Sequence, residues 1–412
     1  MSRAPLRPRR ETQATEPMEG LIRRRLAEHI GDALGRRTSR VLLDAGVEGS
    51  WTIHIDHGTP ILHDTATLGT SPVPDTTIRA GLPTLREVVA GTASGTGAFL
   101  AGDLTVRGDL NLALALDGAF VEEPDRPARW PRMRVAYAGR VKTSYLESGP
   151  SDAPTVIMLH GLGATNASLL PLIWDIGETH RVIAPDMVGF GSTDKPRQRY
   201  DAAHFRAWLE AFLDTIGVSR AHVVGNSLGG RVALELAIEQ PGRVQSLSLL
   251  CPSPAFRRLR QFIPLVHLIR PELLAVGLPA SHRVVVEGIR AMFSQPNRLP
   301  DPWYASAADE FIRVTRKPAA RVSLGSAMRE IYLERSSGEF GFYTRLATLK
   351  VPALFVWGDR DRLVPASFAR HISEATPASR SVILEDSGHV PQFEHRDRTT
   401  ALVREMLDSC PT

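Results

Sequence analysis

The feature that most constrains this chain is an apolar strand that runs directly into the pattern G-x-S-x-G, from Gly225 to Gly229. A helix-favouring run, Arg231 to Ala237, follows it. A serine at this position, Ser227, lies at a sharp strand-to-helix turn with its hydroxyl above a sheet, and the two glycines permit the close backbone approach. The helix N-terminus directs free N–H groups and partial positive charge to the same point. The pattern therefore predicts a serine nucleophile beside an oxyanion-stabilising site.

Length and composition limit the remaining possibilities. A chain of 412 residues is too long for one typical domain, so we expect at least two. The net charge of +4 and the lack of a basic run with interleaved aromatic residues argue against a nucleic-acid partner. Two cysteines cannot form a disulfide framework, the N-terminus has no apolar signal segment, and no apolar run is long enough to span a membrane. These observations favour a cytoplasmic protein, and residues 1–19, rich in proline and charge, predict a disordered tail.

Residues 20–121 show the mixed pattern of a small α+β domain. Helical spacing of apolar residues predicts a helix from Leu21 to Arg36, and a second helix is expected from Thr84, as N-cap, to Val89. Alternating or β-branched segments predict short strands at residues 51–55, 61–62, 76–80 and 104–106.

Three segments of this domain carry a family resemblance: Asp75 to Ile78, Thr84 to Gly91, and above all Ala98 to Asp109 (Ala-Phe-Leu-Ala-Gly-Asp-Leu-Thr-Val-Arg-Gly-Asp). They resemble the sterol-carrier-protein (type two) lipid-binding domain over roughly residues 20–121. The resemblance implies a tunnel between a sheet and helices that binds acyl chains or sterols. A lipid ligand of the first domain is therefore an expectation from resemblance alone.

A proline- and charge-rich stretch at residues 122–132 predicts a linker, and strands and helices alternate from residue 133 to 410. Several strand candidates are continuously apolar, as parallel strands buried on both faces are. The fold class expected is therefore α/β, a doubly wound and mostly parallel sheet, preceded by the smaller α+β domain. The predicted strands are Val135–Tyr137, Val141–Leu146, Thr155–Leu159, Arg181–Ala184, His222–Val224, Ser246–Leu250, Ala353–Trp357 and Ser381–Leu384, and one amphipathic helix is predicted at Ala202–Ile216.

The alternation of strands and helices stops between about residues 252 and 345, where the pattern is helical and interrupted by prolines. This segment predicts a helical cap over the C-terminal ends of the strands. Within it, Phe256 to Phe293 carries six arginines against two glutamates, a local charge of +4. One interpretation is a lid that contacts anionic lipid surfaces. Because Pro264 and Pro271 interrupt any long amphipathic helix, we favour a cap whose apolar underside lines a pocket, and a peripheral membrane contact is the less favoured alternative.

Four motifs at predicted strand ends supply the groups that a serine nucleophile needs. His160-Gly161-Leu162-Gly163 offers backbone N–H groups, chiefly that of Leu162, which with the N–H of Leu228 would bind an oxyanion. Ser227 needs a base, and His389 in Ser387-Gly388-His389 is the candidate because imidazole titrates near working pH. The turn Gly358 to Asp361 offers two carboxylates, Asp359 and Asp361, to orient that imidazole. His160 is interpreted as ordering its loop.

The order Ser, Asp, His resembles that of the α/β-hydrolase family over about residues 133–410, and Pro185 to Gly191 and Asp361 to Pro365 extend the resemblance. The family's G-x-x-D pattern implies Asp361 as the acid, with Asp359 as the alternative. The implied catalytic residues are thus Ser227, Asp361 and His389, with an oxyanion hole of Leu162 and Leu228. Substrate-binding residues and oligomeric state are not predicted.

Three functions remain open at this point. The favoured one is a serine hydrolase that cleaves a hydrophobic or lipid-like carboxylic ester through an acyl-enzyme. A carbon–carbon bond hydrolase of ring-cleavage products shares the Gly-Asn-Ser elbow, but that family usually has tryptophan after the catalytic histidine, where Val390 stands here. The third is a lipid-binding or transfer protein with a non-catalytic hydrolase scaffold. No cofactor is expected, and scattered histidines without H-x-x-x-H or C-x-x-C spacing predict no metal site.

Overall fold

The computed structural model of the chain describes residues 16–28, 38–63, 73–120, 127–255, 263–268, 270–277 and 281–410. The chain divides into two compact units, one of Met1–Val106 with Leu112–Arg126 and one of Arg107–Asn111 with Pro127–Thr412. Most of the predicted tail and about half of the predicted linker lie outside the described residues.

The first unit contains a five-stranded sheet in the order β3-β2-β1-β4-β5, with β1 parallel to β4 and antiparallel to β2. Its strands bury alternate apolar residues such as Ile53 and Ile55, both fully buried. The strands are β1 Ser39–Asp44, β2 Ser50–Asp56, β3 Thr59–His63, β4 Thr76–Ala80 and β5 Leu104–Gly108, and the helices are α1 Met18–Glu28, α2 Leu82–Ala90, α3 Gly95–Ala101 and α4 Leu110–Ala119.

The starts of two helices differ from the sequence prediction. Helix α1 begins at Met18, which is buried, three residues before the predicted start, while its predicted end at Arg36 lies outside the described residues. Helix α2 begins at Leu82 after an extended Gly81, so the prediction that Thr84 is its N-cap was wrong. Proline in the first helical turn has the backbone angle that a helix needs and lacks an N–H that would be unsatisfied there, and Pro83 occupies that position.

The second unit confirms the predicted doubly wound α/β architecture. Its eight-stranded sheet has the order β13-β12-β11-β10-β8-β9-β7-β6, parallel except where β7 pairs antiparallel with β6 and β9. All eight predicted strands are present, with ends shifted by up to three residues. They are β6 Arg132–Ala138, β7 Val141–Ser148, β8 Thr155–Leu159, β9 Arg181–Pro185, β10 Ala221–Asn226, β11 Val244–Leu250, β12 Ala353–Gly358 and β13 Arg380–Leu384.

The topology places the ends of β8 and β10 at a switch point, because the chain leaves β8 for β9 on one side and later returns to β10 on the other. Ligands of open α/β sheets bind at such a point. The helices that cover the sheet are α5 Leu170–Ile176, α6 Ala202–Thr215, α7 Leu228–Glu239, α13 Phe368–Ala375, α14 Pro391–Glu394 and α15 Arg396–Asp408.

The segment between β11 and β12 holds the helices of the expected cap, α8 Ile263–Leu268, α9 His282–Arg290, α10 Asp301–Thr315, α11 Pro318–Leu333 and α12 Phe342–Leu346. Leu265, Leu268 and Leu273 are exposed on it. Residues 256–262, 269 and 278–280 of the cap lie outside the described residues. Across the described chain, none of the helices is both long and apolar enough to cross a bilayer.

A buried histidine in the core of the second unit predicts that the stability of this unit depends on pH. Burial, with His180 and Arg220 adding, lowers the pKa of His222 to about 4, and its Nδ1 lies 2.8 Å from Ser246 Oγ. The pKa of a histidine in an unfolded chain is about 6.5. At pH values between this and the lowered pKa of His222, the unfolded chain therefore binds a proton more readily than the folded one. We therefore expect the free energy of unfolding to fall as pH drops from about 6.5 towards 4.

Urea denaturation at several pH values measures this dependence, with His222→Gln as the matched variant. The variant lacks the titrating group and should show a shallower fall across the same interval. Equal pH dependence in the two proteins would contradict the assignment of this effect to His222.

Candidate active site

Ser227 occupies the turn between β10 and α7 in a backbone conformation that residues with a β-carbon rarely adopt, with φ of 53° and ψ of −114°. Such a conformation costs on the order of 1–3 kcal/mol, so surrounding structure must enforce it. Its N–H donates to the Leu250 carbonyl at 2.9 Å, and its carbonyl accepts from Ser253 N–H at 2.9 Å and Arg231 N–H at 3.1 Å. These bonds hold the partly exposed serine at the sheet edge.

The glycines of the motif are required by close packing. A β-carbon at Gly229 would clash with the carbonyl of Leu159 in β8, and one at Gly225 would clash with the backbone of Gly229. Strand, turn and helix therefore approach one another more closely than any side chain allows.

The glycine turn after β8 lies against the serine. A β-carbon at Gly161 would come within 3.4 Å of Cβ of Ser227, so a side chain at this position would fill the space between the two loops. The N–H of Leu162 in this turn, and that of Leu228 at the first position of α7, have no acceptor among the described residues. Donors left free at these two places are available to a developing negative charge.

His160 is fully buried and fixes this turn. Its Nε2 accepts from the N–H of Met187 at 2.9 Å, which leaves Nδ1 as the atom that donates to the Gly161 carbonyl at 2.8 Å. Burial lowers the pKa of His160, against the opposing charge of Asp186. A neutral imidazole with both nitrogens engaged orders the loop and is not free to exchange protons.

His389 and Asp361 form a buried pair. Nδ1 of His389 lies 2.7 Å from Oδ2 of Asp361, and the two side chains are 6% and 0% exposed. Oδ1 of Asp361 accepts from the N–H groups of Leu363 at 2.8 Å and Val364 at 2.9 Å. A carboxylate held in this way directs Nε2 of the imidazole away from itself.

Asp359, the alternative acid, is exposed and uses Oδ1 to accept from the N–H of Ser387 at 3.1 Å. Asp359 therefore stabilises the start of the loop that carries the histidine. Asp361 is the carboxylate that contacts the imidazole.

The loop of His389 is tied to the serine turn and to the cap. The side-chain amide of Asn226, next to Ser227, donates to the His389 carbonyl at 3.2 Å. The N–H of His389 donates to the Met292 carbonyl at 2.8 Å, in the cap. The serine and the histidine therefore lie on two backbone segments that share a hydrogen bond.

Glu394 completes this framework, and sequence reasoning did not identify it. Its Oε1 accepts from the N–H of Gly388 at 2.7 Å and its Oε2 from the N–H of Ser294 at 2.7 Å. Asn226 could have been found, because it lies inside the elbow motif. Glu394 carries no local signal, since its partners are backbone groups outside its own helix.

One cluster of metal-ligand type occurs in the described part of the chain, formed by the buried side chains Cys251, Asp361 and His389, whose candidate ligand atoms lie within 4.8 Å of one another. The carboxylate and the imidazole of this cluster are already hydrogen-bonded to each other. We therefore interpret the cluster as an acid–base pair with a neighbouring thiol.

Apolar residues of the cap lie beside both loops. Phe311 of α10 and Leu324 of α11 would touch a β-carbon at Gly163, whose φ is +72°. Val390, next to the histidine, packs with the buried Phe293 and Tyr304. Apolar cap side chains therefore pack against both the glycine turn and the residue that follows the histidine.

The second unit combines a serine at a strained strand-to-helix turn with a doubly wound sheet and a helical insertion. These features define a class of proteins, and comparison with known families identifies that class. The chain belongs to the alpha/beta hydrolase fold family, which matches residues 154–396. Residues 27–121 match the SCP-2 sterol transfer family.

Two relatives whose names state an activity each match about three fifths of this chain. Lipase 1 of Psychrobacter immobilis is 27% identical over 63% of this chain and 78% of its own length. Pimeloyl-[acyl-carrier protein] methyl ester esterase of Aeromonas salmonicida is 28% identical over 61% of this chain and 95% of its own length. Relatives of this kind agree with membership of the alpha/beta hydrolase fold family.

Solved structures show the same fold. A bacterial membrane phospholipase A is 26% identical with a TM-score of 0.57, covering 69% of this chain and 87% of its own. A meta-cleavage product hydrolase, solved as a single-substitution mutant, is 26% identical with a TM-score of 0.56, covering 67% of this chain and 98% of its own.

Proposed function

We propose that the second unit is a serine hydrolase that cleaves carboxylic esters with Ser227 as nucleophile, His389 as base and Asp361 as orienting acid. The observation that carries the proposal is the buried 2.7 Å contact of His389 Nδ1 with Asp361 Oδ2, on a loop hydrogen-bonded to the residue before a strained serine. A strained serine, whose neighbour Asn226 is hydrogen-bonded to the loop that carries an oriented imidazole, supports the assignment of a prepared nucleophile.

The proposed reaction uses the donor and acceptor atoms that are not already hydrogen-bonded within the site. Nδ1–H of His389 donates to Asp361, so Nε2 can accept the Ser227 proton as Oγ attacks the ester carbonyl. The N–H groups of Leu162 and Leu228 stabilise the resulting oxyanion. The C–O bond then breaks, the alcohol leaves with the proton from His389, and an acyl-enzyme remains. Water, deprotonated by His389, attacks it, and the acid departs as Ser227 regains its proton.

The substrate class proposed is a hydrophobic or lipid-like ester. Phe311, Leu324 and Phe293 place apolar cap side chains beside the oxyanion turn and the histidine loop. An apolar acyl chain would be stabilised there by loss of water contact. For the first unit we propose binding of an apolar lipid, which rests on its SCP-2 family membership.

Cleavage of a carbon–carbon bond is the second candidate, since a meta-cleavage product hydrolase shares the fold at 26% identity. The histidine loop weighs against it. Val390 packs against Phe293 and Tyr304, at the place after the histidine where that family usually has tryptophan. A purely lipid-binding role is the third candidate, and the oriented Asp361–His389 pair weighs against that.

Covalent labelling tests the proposal directly. A fluorophosphonate probe reacts with an activated serine, so we expect one adduct on the peptide that contains Ser227. In parallel, p-nitrophenyl esters of increasing acyl length should show kcat/KM that rises with chain length. An unlabelled protein that still binds a fluorescent fatty acid would favour the lipid-binding role, and turnover confined to a ring-cleavage product would favour the carbon–carbon hydrolase.

A further inference from the structure

The thiol of Cys251 lies beside the Asp361–His389 pair, and the mechanism above does not use it. Cys251 follows β11 directly and is fully buried. Its N–H donates to the Val356 carbonyl of β12 at 2.7 Å, which fixes its backbone between the strand of the serine and the strand of the acid. Its position therefore allows the side chain to contact both catalytic loops.

The direction of the side chain is also fixed. The Cys251 sulfur donates to the Gly388 carbonyl, one residue before the catalytic histidine, at 3.7 Å. It lies within 4.8 Å of candidate ligand atoms of both Asp361 and His389. A thiol has one proton to donate; the Gly388 carbonyl accepts it here, and the Asp361 carboxylate lies within 4.8 Å of the sulfur.

Two further observations indicate that this side chain does more than pack in the core. The backbone of Cys251 has φ of +44°, a conformation that glycine adopts without strain and residues with a β-carbon rarely adopt. Burial, with the charge of Asp361 adding, raises the pKa of the thiol well above its usual value. The sulfur therefore keeps its proton and acts as a donor.

We propose that Cys251 is a positioning residue whose thiol proton bonds to the Asp361 carboxylate and the Gly388 carbonyl and so sets both the placement and the basicity of the Asp361–His389 pair. This inference rests on the proposed function. A donor on the carboxylate disperses its negative charge, which weakens its stabilisation of a protonated imidazole. Without that donor the imidazole holds a proton to higher pH.

Other charged groups around the loop must stay constant in any test. The groups that face it from each packed element are Asp359 and Arg360 after β12, Asp386 and His395 around the loop, Glu394 on α14, and Arg298 of the cap. Variants of Cys251 leave all of these unchanged.

The experiment compares Cys251→Ser, Cys251→Ala and Cys251→Gly with wild type, using p-nitrophenyl butyrate and fluorophosphonate labelling across pH. We expect the alanine variant to lose about tenfold in kcat with KM unchanged, because a hydrogen bond to a charged group is lost. Its acidic limb in kcat/KM should move to higher pH by about half a unit. Serine, a stronger donor, should keep kcat within about threefold and move the limb to lower pH.

Cys251→Gly removes the thiol while relieving the backbone, so it should reproduce the pH shift of alanine without a backbone penalty to stability. Cys410→Ala, at the other cysteine, is the matched control and should change neither rate nor pH profile. Identical acidic limbs in all the variants, with losses confined to thermal stability, would overturn the inference while the proposed function stood. A wild-type protein that neither labels at Ser227 nor cleaves the ester would instead refute the proposed function.

Discussion

Replacement of Ser227 by alanine is expected to lower kcat for p-nitrophenyl butyrate by about a million-fold, because serine, histidine and aspartate act as a unit and the remaining groups cannot form an acyl-enzyme. Alanine keeps the β-carbon and the strained turn, so the backbone hydrogen bonds with Leu250, Ser253 and Arg231 are retained. Stopped-flow or extended steady-state assays of the purified full chain, with fluorophosphonate labelling in parallel, measure the loss.

Ser253→Ala provides the matched control. Ser253 is the buried serine whose N–H donates to the Ser227 carbonyl, and its substitution should leave kcat within about threefold because its backbone contact is unchanged. A loss below tenfold in Ser227→Ala would show that a different residue is the nucleophile.

Replacement of Asp361 by asparagine is expected to lower kcat by about ten-thousand-fold with little change in KM. The carboxamide oxygen can still accept the N–H groups of Leu363 and Val364, so the turn is kept. The amide NH₂ then faces Nδ1 of His389, which favours the tautomer protonated at Nε2. That tautomer cannot accept the serine proton, so the base is lost while the fold is retained.

The control for this variant is Asp359→Asn, two residues earlier. Asp359 accepts from the N–H of Ser387, a bond that the asparagine oxygen preserves, so we expect less than about tenfold change in kcat. Circular dichroism and urea unfolding of both variants separate a catalytic loss from a folding defect. If Asp359→Asn proved the more damaging of the two, the assignment of the orienting acid would pass to Asp359.

The sheet of the second unit could be predicted well from the sequence because several of its strands are continuously apolar. Runs such as Thr155–Leu159 and Ala353–Trp357 match observed strands to within a residue. The rule that parallel strands end at one edge of a sheet then places the motifs after β8, β10 and β12 together. The contact between His389 and Asp361 follows from that rule even though the residues lie on different strand ends.

Other features were not accessible from the sequence. Strand β1, Ser39–Asp44, went unnoticed because its apolar residues are few and do not alternate. The contacts of Glu394 with Ser294 and of Cys251 with Gly388 join side chains to backbone groups far away along the chain, and no local pattern encodes them. The N-cap of α2 was misplaced because the helix begins at Leu82 and Pro83, ahead of the threonine that resembled a cap.

The hydrogen bond from the His389 N–H to the Met292 carbonyl has a consequence for engineering this enzyme. Specificity in modular folds is often altered by grafting an insertion from one scaffold onto another. Here such a graft would also remove the Met292 carbonyl that accepts from the His389 N–H. It would remove as well the Ser294 N–H that donates to Glu394. A chimera that retains residues 292–294 and exchanges only the helices around them should preserve turnover, whereas wholesale exchange would alter selectivity and rate together.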